Sequence, residues 1–148
     1  MMKHSRSLAL AALTLLTPLA AYAHDECPPD SVPVGPACVD KYEASVWSIA
    51  PTQDKLIRRV RRGRADVADF ADDNATRLGL SADDYDTASC PDTGNGCTRA
   101  YAVSIPGVAP SRFLTWFQAA AACRNAGKRL LTNAEWQAVA FGTADHGV

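Results

Sequence analysis

Residues 115–142 read TWFQAAAACRNAGKRLLTNAEWQAVAFG. Thr115 and Gln118 have the spacing of a capping box, in which the Thr hydroxyl takes the backbone N–H three residues on and the Gln side chain returns to the N–H of the cap. This predicts a helix from Trp116 to Ala126, closed by Gly127. Trp116, Ala120 and Cys123 recur at helical spacing, which places Cys123 toward a core. Thr132 and Glu135 repeat the capping spacing, with Trp136, Val139 and Ala140 as an apolar face and Gly142 as a stop. Two capped helices thus flank Gly127–Leu131.

Toward the N-terminus, Tyr101–Ile105 reads as a short strand ended by Pro106 and Gly107. Residues 81–99, SADDYDTASCPDTGNGCTR, are rich in turn formers and nearly free of large apolar side chains, so they are expected as a surface loop. Lys55–Arg64 holds six basic residues, and the chain turns acidic after Arg64, where ADVADF suits a short helix. Val39–Trp47 is expected as one strand. Ahead of it, CPPDSVPVGPACVD (27–40) suits a disulfide-closed turn. Short helices with two or three short strands make an α+β chain, and Trp47, Trp116 and Trp136 are read most simply as core. FGTADHGV then ends the chain with few partners for the indoles, which predicts a core open on one side.

The first 23 residues set the compartment. Lys3, His4 and Arg6 precede the apolar run Leu8–Leu16 and the small-residue site Ala21-Tyr22-Ala23, the pattern of a cleavable signal peptide. The run is short for a membrane span, and His24, Asp25 and Glu26 come at once after it, so a retained anchor is the weaker reading. Removing Lys3 and Arg6 from 15 basic residues leaves 13 against 16 acidic ones, a net charge of −3 for residues 24–148. A secreted or periplasmic protein, off the membrane once processed, is expected.

All five cysteines lie beyond that site, and in an oxidising compartment they read first as disulfide partners. Several pairings are open. Cys27 with Cys38 and Cys90 with Cys97 each close a short Pro- and Gly-containing loop, leaving Cys123 over.

Two stretches carry a resemblance. CVDKYEASVW (38–47), with Asp40, Tyr42 and Glu43, resembles the entry strand of the sulfatase-modifying-factor family, which includes the formylglycine-generating enzymes. The segment after Trp116 resembles that family's most characteristic stretch, an alanine-rich helix leading into Gly-Lys-Arg-Leu-Pro-Thr and Ala-Glu-Trp-Glu. Gly127, Lys128, Arg129, Leu130, Thr132, Ala134, Glu135 and Trp136 match it, while Leu131 stands for the Pro and Gln137 for the second Glu.

The resemblance implies an irregular α+β fold related to C-type lectins. It covers 24–148 as the N-terminal part of that domain, incomplete at the C-terminus. Oxidase members of the family hold copper on a C-terminal cysteine pair. No residue here matches that pair, and Cys123 corresponds to the helix cysteine, left to bond a segment past Val148 or another chain. Members often hold calcium too. The expected function is therefore a non-catalytic binding or structural module for an unknown ligand or protein. The alternative is the N-terminal part of a copper-dependent oxidase acting on sulfatase cysteines.

Other chemistries find weaker support in the residues. Copper(I) needs accessible soft thiolates, and Cys90 with Cys97 on the expected loop is the only such pair; a structural disulfide is the stronger reading in an exported chain. The mature chain has only His24 and His146, at its ends, which argues against a triad hydrolase. The basic run is read as solvated and paired with Asp66, Asp69, Asp72 and Asp73 rather than as a nucleic-acid or lipid site. Asp72, Asp73, Asp83, Asp84, Asp86, Asp92 and Asn95 offer oxygen ligands, but without EF-hand spacing. No cofactor is expected in this chain itself; calcium or copper belongs to full-length relatives.

Overall fold

A computed structural model describes residues 26–82 and 84–141. The expected leader, His24, Asp83, Gly142 and His146 lie outside the described residues. The described chain opens on an antiparallel hairpin of β1 (Ser31–Val34) and β2 (Ala37–Asp40), with Ser31 opposite Asp40. Its two-residue loop is Gly35-Pro36: Gly35 takes a φ of 56°, and Pro36 fixes the next φ, which together turn the chain tightly. The Cys27–Cys38 disulfide ties the hairpin to the segment before it, as expected.

The single strand expected over Val39–Trp47 is two strands in two sheets. Lys41 N–H donates to the Asp30 carbonyl at 2.9 Å and Tyr42 N–H to Ser104 Oγ at 3.0 Å. These bonds end β2 at Asp40, and the chain re-enters extended structure as β3 (Ser45–Ser48).

β3 is the centre of an antiparallel sheet, flanked by β4 (Thr76–Leu78) and β5 (Ala100–Val103), with Trp47 opposite both Arg77 and Tyr101. Alternate strand residues face opposite sides. Val46, Leu78 and Ala102 therefore enter one core cluster, and Trp47, Tyr101 and Val103 the other.

The second cluster is covered by α1 (Asp54–Arg61) and α2 (Val67–Asp72). The basic run is thus helical: Leu56, Ile57 and Val60 share its inward face, so the cations must face outward. Asp66 and Asp69 form a reciprocal capping box at the start of α2, which brings Phe70 under the Trp47 ring at 4.3 Å. Arg59 pairs with Asp69 at 2.8 Å and Asp66 at 3.8 Å. Asp72 and Asp73, also expected as partners, form no ion pair among the described residues.

The first cluster is covered by α3 (Asp84–Thr87), the Cys90–Cys97 loop and α4 (Trp116–Asn125). The expected surface loop is therefore part of the core: Tyr85, Ala88, Cys90 and Cys97 are all at least 95 % buried. Few apolar residues occur there, but Tyr85 and Ala88 point inward, and the disulfide is itself apolar. Two side-chain amides hold it, Gln118 buried and Asn125 half-buried. Gln118 Nε2 donates to the Cys90 carbonyl at 2.9 Å, and Asn125 Nδ2 to the carbonyls of Cys97 and Ala100 at 2.7 and 2.8 Å.

Both predicted capping boxes form, at Thr115/Gln118 on α4 and at Thr132/Glu135 on α5 (Asn133–Ala140). The buried face of α4 differs from the expected one. Gln118, Ala120, Ala121 and Ala122 pack inward, Cys123 is half-buried, and Trp116 is 67 % exposed. Small side chains let the helix approach the sheet closely, and an indole would hold it off. Trp136 is also exposed, and α5 buries none of its residues. Of the three tryptophans read as core, only Trp47 packs into it.

Both disulfides close short loops, but only Cys90–Cys97 lies in the core. The C90A/C97A variant is expected to lose about 3–5 kcal/mol of unfolding free energy and C27A/C38A about 2–3, within the usual range for native bridges. Denaturant unfolding checks the order, and non-reducing peptide maps that tie Cys123 to any of the four would refute the pairing.

Candidate functional site

The last turn of α4 sets the site. Gly127 N–H donates to the Arg124 carbonyl at 3.0 Å and Lys128 N–H to the Cys123 carbonyl at 2.8 Å, the paired bonds of a Schellman motif, with Gly127 at a φ of 76°. This aims Lys128 back across the hairpin. Its Nζ lies 2.5 Å from Asp30 Oδ2 and 2.6 Å from Asp40 Oδ1, so one ammonium bridges the two ends of the hairpin. The Lys128, Asp30 and Asp40 side chains are 18 %, 6 % and 26 % exposed, so the ion triad is largely shielded from water.

Asp30 is the hub of this triad. Its carbonyl accepts from Lys41 N–H and from Ser104 Oγ, just beyond the end of β5. Ser31 Oγ donates to its carboxylate at 3.0 Å. Gly63, with a φ of 63°, closes α1 by the same type of motif and lies against the same carboxylate: a Cβ there would sit 2.1 Å from Asp30 Oδ1. Burial alone would lower the pKa of Lys128, but the hydrogen bonds it donates to Asp30 and Asp40 outweigh it and raise the group above its ordinary value of 10.5. The ammonium is therefore a fixed cation and not a base.

Cys123 lies one turn earlier. Burial, and after it the charge of Asp40, pushes its thiol up, against the pull of Lys128 and Arg124. The nucleophilic form of a cysteine is the thiolate, so this one is held in its inert state. Arg129 forms a two-point pair with Glu135 at 2.5 and 2.6 Å, while Thr132 N–H and hydroxyl both donate to Glu135. Those bonds, the arginine's first, hold the Glu135 carboxyl down to about 2, so the α5 cap stays charged across ordinary pH.

Of the residues singled out in the two family-like stretches, the fold joins Asp40 to Lys128 and makes Arg129, Thr132 and Glu135 one local cap. Leu130 is half-buried and its carbonyl accepts from Arg129. Tyr42, Glu43, Trp116 and Trp136 stand exposed at separate places in the chain. Asp30, Gly63 and Ser104 escaped sequence reasoning, because nothing local distinguishes them from ordinary turn residues.

Metal chemistry finds no match in these side chains. Cys90 and Cys97 are bonded to one another and buried, which corrects their reading as an accessible pair, and a second free thiol to accompany Cys123 is absent from the described residues. Asp84 accepts from Leu80 and Ser81, and Asp92 from Gln118. Among the described residues no three Asp, Glu, His or Cys side chains converge as a metal site. Comparison of the chain with protein-family models, with curated proteins and with solved structures gave no match.

K128M keeps the length of the side chain but leaves two carboxylates facing each other without a cation. It is expected to lose about 2–3 kcal/mol, less than the 3–5 of a fully buried pair because Lys128 and Asp40 retain some contact with water. Since folding raises the pKa of Lys128, this contribution is fully present below about 10.5 and fades only as pH rises through the folded-state value. Denaturant titrations of both proteins at neutral and alkaline pH check it, and a difference that is constant through high pH refutes it. G63A is expected to cost about 2–4 kcal/mol from the strained φ and the displaced carboxylate, and G35A, with open space around its Cβ, only about 1. Equal thermal shifts for the two would contradict this role of Asp30.

Proposed function

We propose that the chain is an exported domain of the sulfatase-modifying-factor type, with the irregular C-type-lectin-like form of that family, acting as a non-catalytic binding or structural module. The observation that carries this reading is the Asp40–Lys128 bridge. The two family-like stretches are far apart in sequence, and this contact joins them at 2.6 Å through one residue of each, 88 positions apart. Lys128 thus locks the entry segment to the alanine-rich helix, and Arg129, Thr132 and Glu135 order the first turn of α5.

A binding role accords with the exposed side chains of the same motif. Trp116 at 67 % and Trp136 at 59 % exposed offer flat, amphipathic contact area at little entropic cost. An oxidase role would need two thiolates placed to share copper, and the described cysteines supply one unbonded, protonated thiol. Export accords with the leader pattern and with two disulfides.

Purified protein incubated with copper and a cysteine-containing sulfatase peptide is expected to leave the peptide unchanged. Mass spectrometry reads the outcome directly, since formylglycine differs from cysteine in mass. Appearance of the aldehyde would replace this reading with that of an oxidase.

A further inference from the structure

We propose that the outward face of α1 is a docking surface for the phosphate headgroups of an anionic membrane. The helix is fixed in the fold by Leu56, Ile57 and Val60, which are 0 %, 8 % and 1 % exposed. At about 100° per residue these three occupy one arc, and the opposite arc is held by Lys55, Arg58 and Arg62 at its centre, with Arg59 and Arg61 at its borders. Arg59 is taken up by Asp66 and Asp69. Arg61 Nε donates to the Asn125 carbonyl at 2.9 Å, which joins this face to the end of α4 beside exposed Arg124. Lys55, Arg58, Arg62, Arg64 and Arg124 are exposed and form no ion pair among the described residues.

The acids of this face are Asp54, in the first turn, and Glu26, which lines a shallow cleft with Pro28, Pro29, Arg62 and Arg64. The surplus of cations therefore lies toward the C-terminal end of the helix, on a chain whose mature form is acidic elsewhere. Clusters of four to eight cations on an amphipathic helix attract anionic headgroups over about a Debye length, so the distant acids are screened. Geometry favours a lipid surface over a nucleic acid. The cations stand on a short convex helix, and no aromatic ring is interleaved among residues 55–64 to stack a base. The outward arc of α1 itself carries no apolar side chain, so the association is led by its charges.

Co-sedimentation of the secreted, processed protein with vesicles tests this, using phosphatidylcholine alone and phosphatidylcholine with about one third phosphatidylglycerol. Binding is expected only to the anionic vesicles, and is expected to disappear near 1 M salt, where the Debye length is about 3 Å. The R58Q/R62Q/R64Q variant, with circular dichroism showing an unchanged fold, is expected to bind on the order of 100-fold more weakly, from roughly fivefold per cation. R112Q, the same change outside this face, is expected to bind like the parent, and R62Q alone to lose about fivefold. Equal binding to both vesicles, no loss in the triple variant, an equal loss in R112Q, or salt-sensitive binding to duplex DNA with none to anionic vesicles would each overturn the proposal.

Discussion

The fold turns on one ammonium group placed between two carboxylates. Lys128 cannot reach Asp30 and Asp40 unless Gly127 ends α4 in a left-handed turn, and Asp30 cannot receive it unless Gly63 leaves room beside its carboxylate. Ser104 and Lys41 fix the Asp30 backbone at the same point. Four segments, from the ends of α1, β5 and α4 and from the hairpin, therefore meet at one residue. Taking these charges out of water is costly, and a shielded ion pair can contribute little net stability over an apolar replacement. Its consequence is specificity: with the end of α4 or the hairpin displaced, a charge is left without its partner.

Around this junction, side-chain size decides which surfaces are buried. Alanines bring α4 close to the sheet, and the two amides at its ends, Gln118 and Asn125, satisfy carbonyls of the disulfide loop that the close approach removes from water. The same close packing leaves no space for the large rings at the start of the helix. Trp116 and Phe117 lie outside, edge to face at 5.4 Å, while the half-cystines that look like loop residues lie inside. The face of the sheet under α4 is thus packed by alanines and a disulfide beside Val46, Leu78 and Tyr85, and the rings at the start of α4 are left at the surface.

Charge is segregated in a corresponding way. The triad at Lys128 engages its one ammonium with both carboxylates, and its neighbouring thiol is protonated, so this polar cluster is suited to holding the structure and not to reacting. Lys55, Arg58 and Arg61 of α1 form no ion pair among the described residues, and they are held outward because the apolar positions of the helix belong to the second core cluster. Exposed aromatic rings on α4 and α5 and outward cations on α1 are what this architecture presents to its surroundings.

Features that depend on near neighbours are legible in the amino-acid order. The capping boxes at Thr115 and Thr132, the glycine stop at Gly127, the short disulfides and the strand before Pro106 all arise from groups a few residues apart, whose geometry the backbone fixes with little help. Helical spacing put Trp116, Ala120 and Cys123 on the inward face of α4, and only the packing distance to the sheet decided for the alanine face and against Trp116. The break between β2 and β3 likewise came from Ser104, more than sixty residues away, which captures the Tyr42 amide. Asp30 and Lys128 carry no mark of each other in sequence, because a salt bridge across nearly a hundred residues exists only once the chain has closed around it.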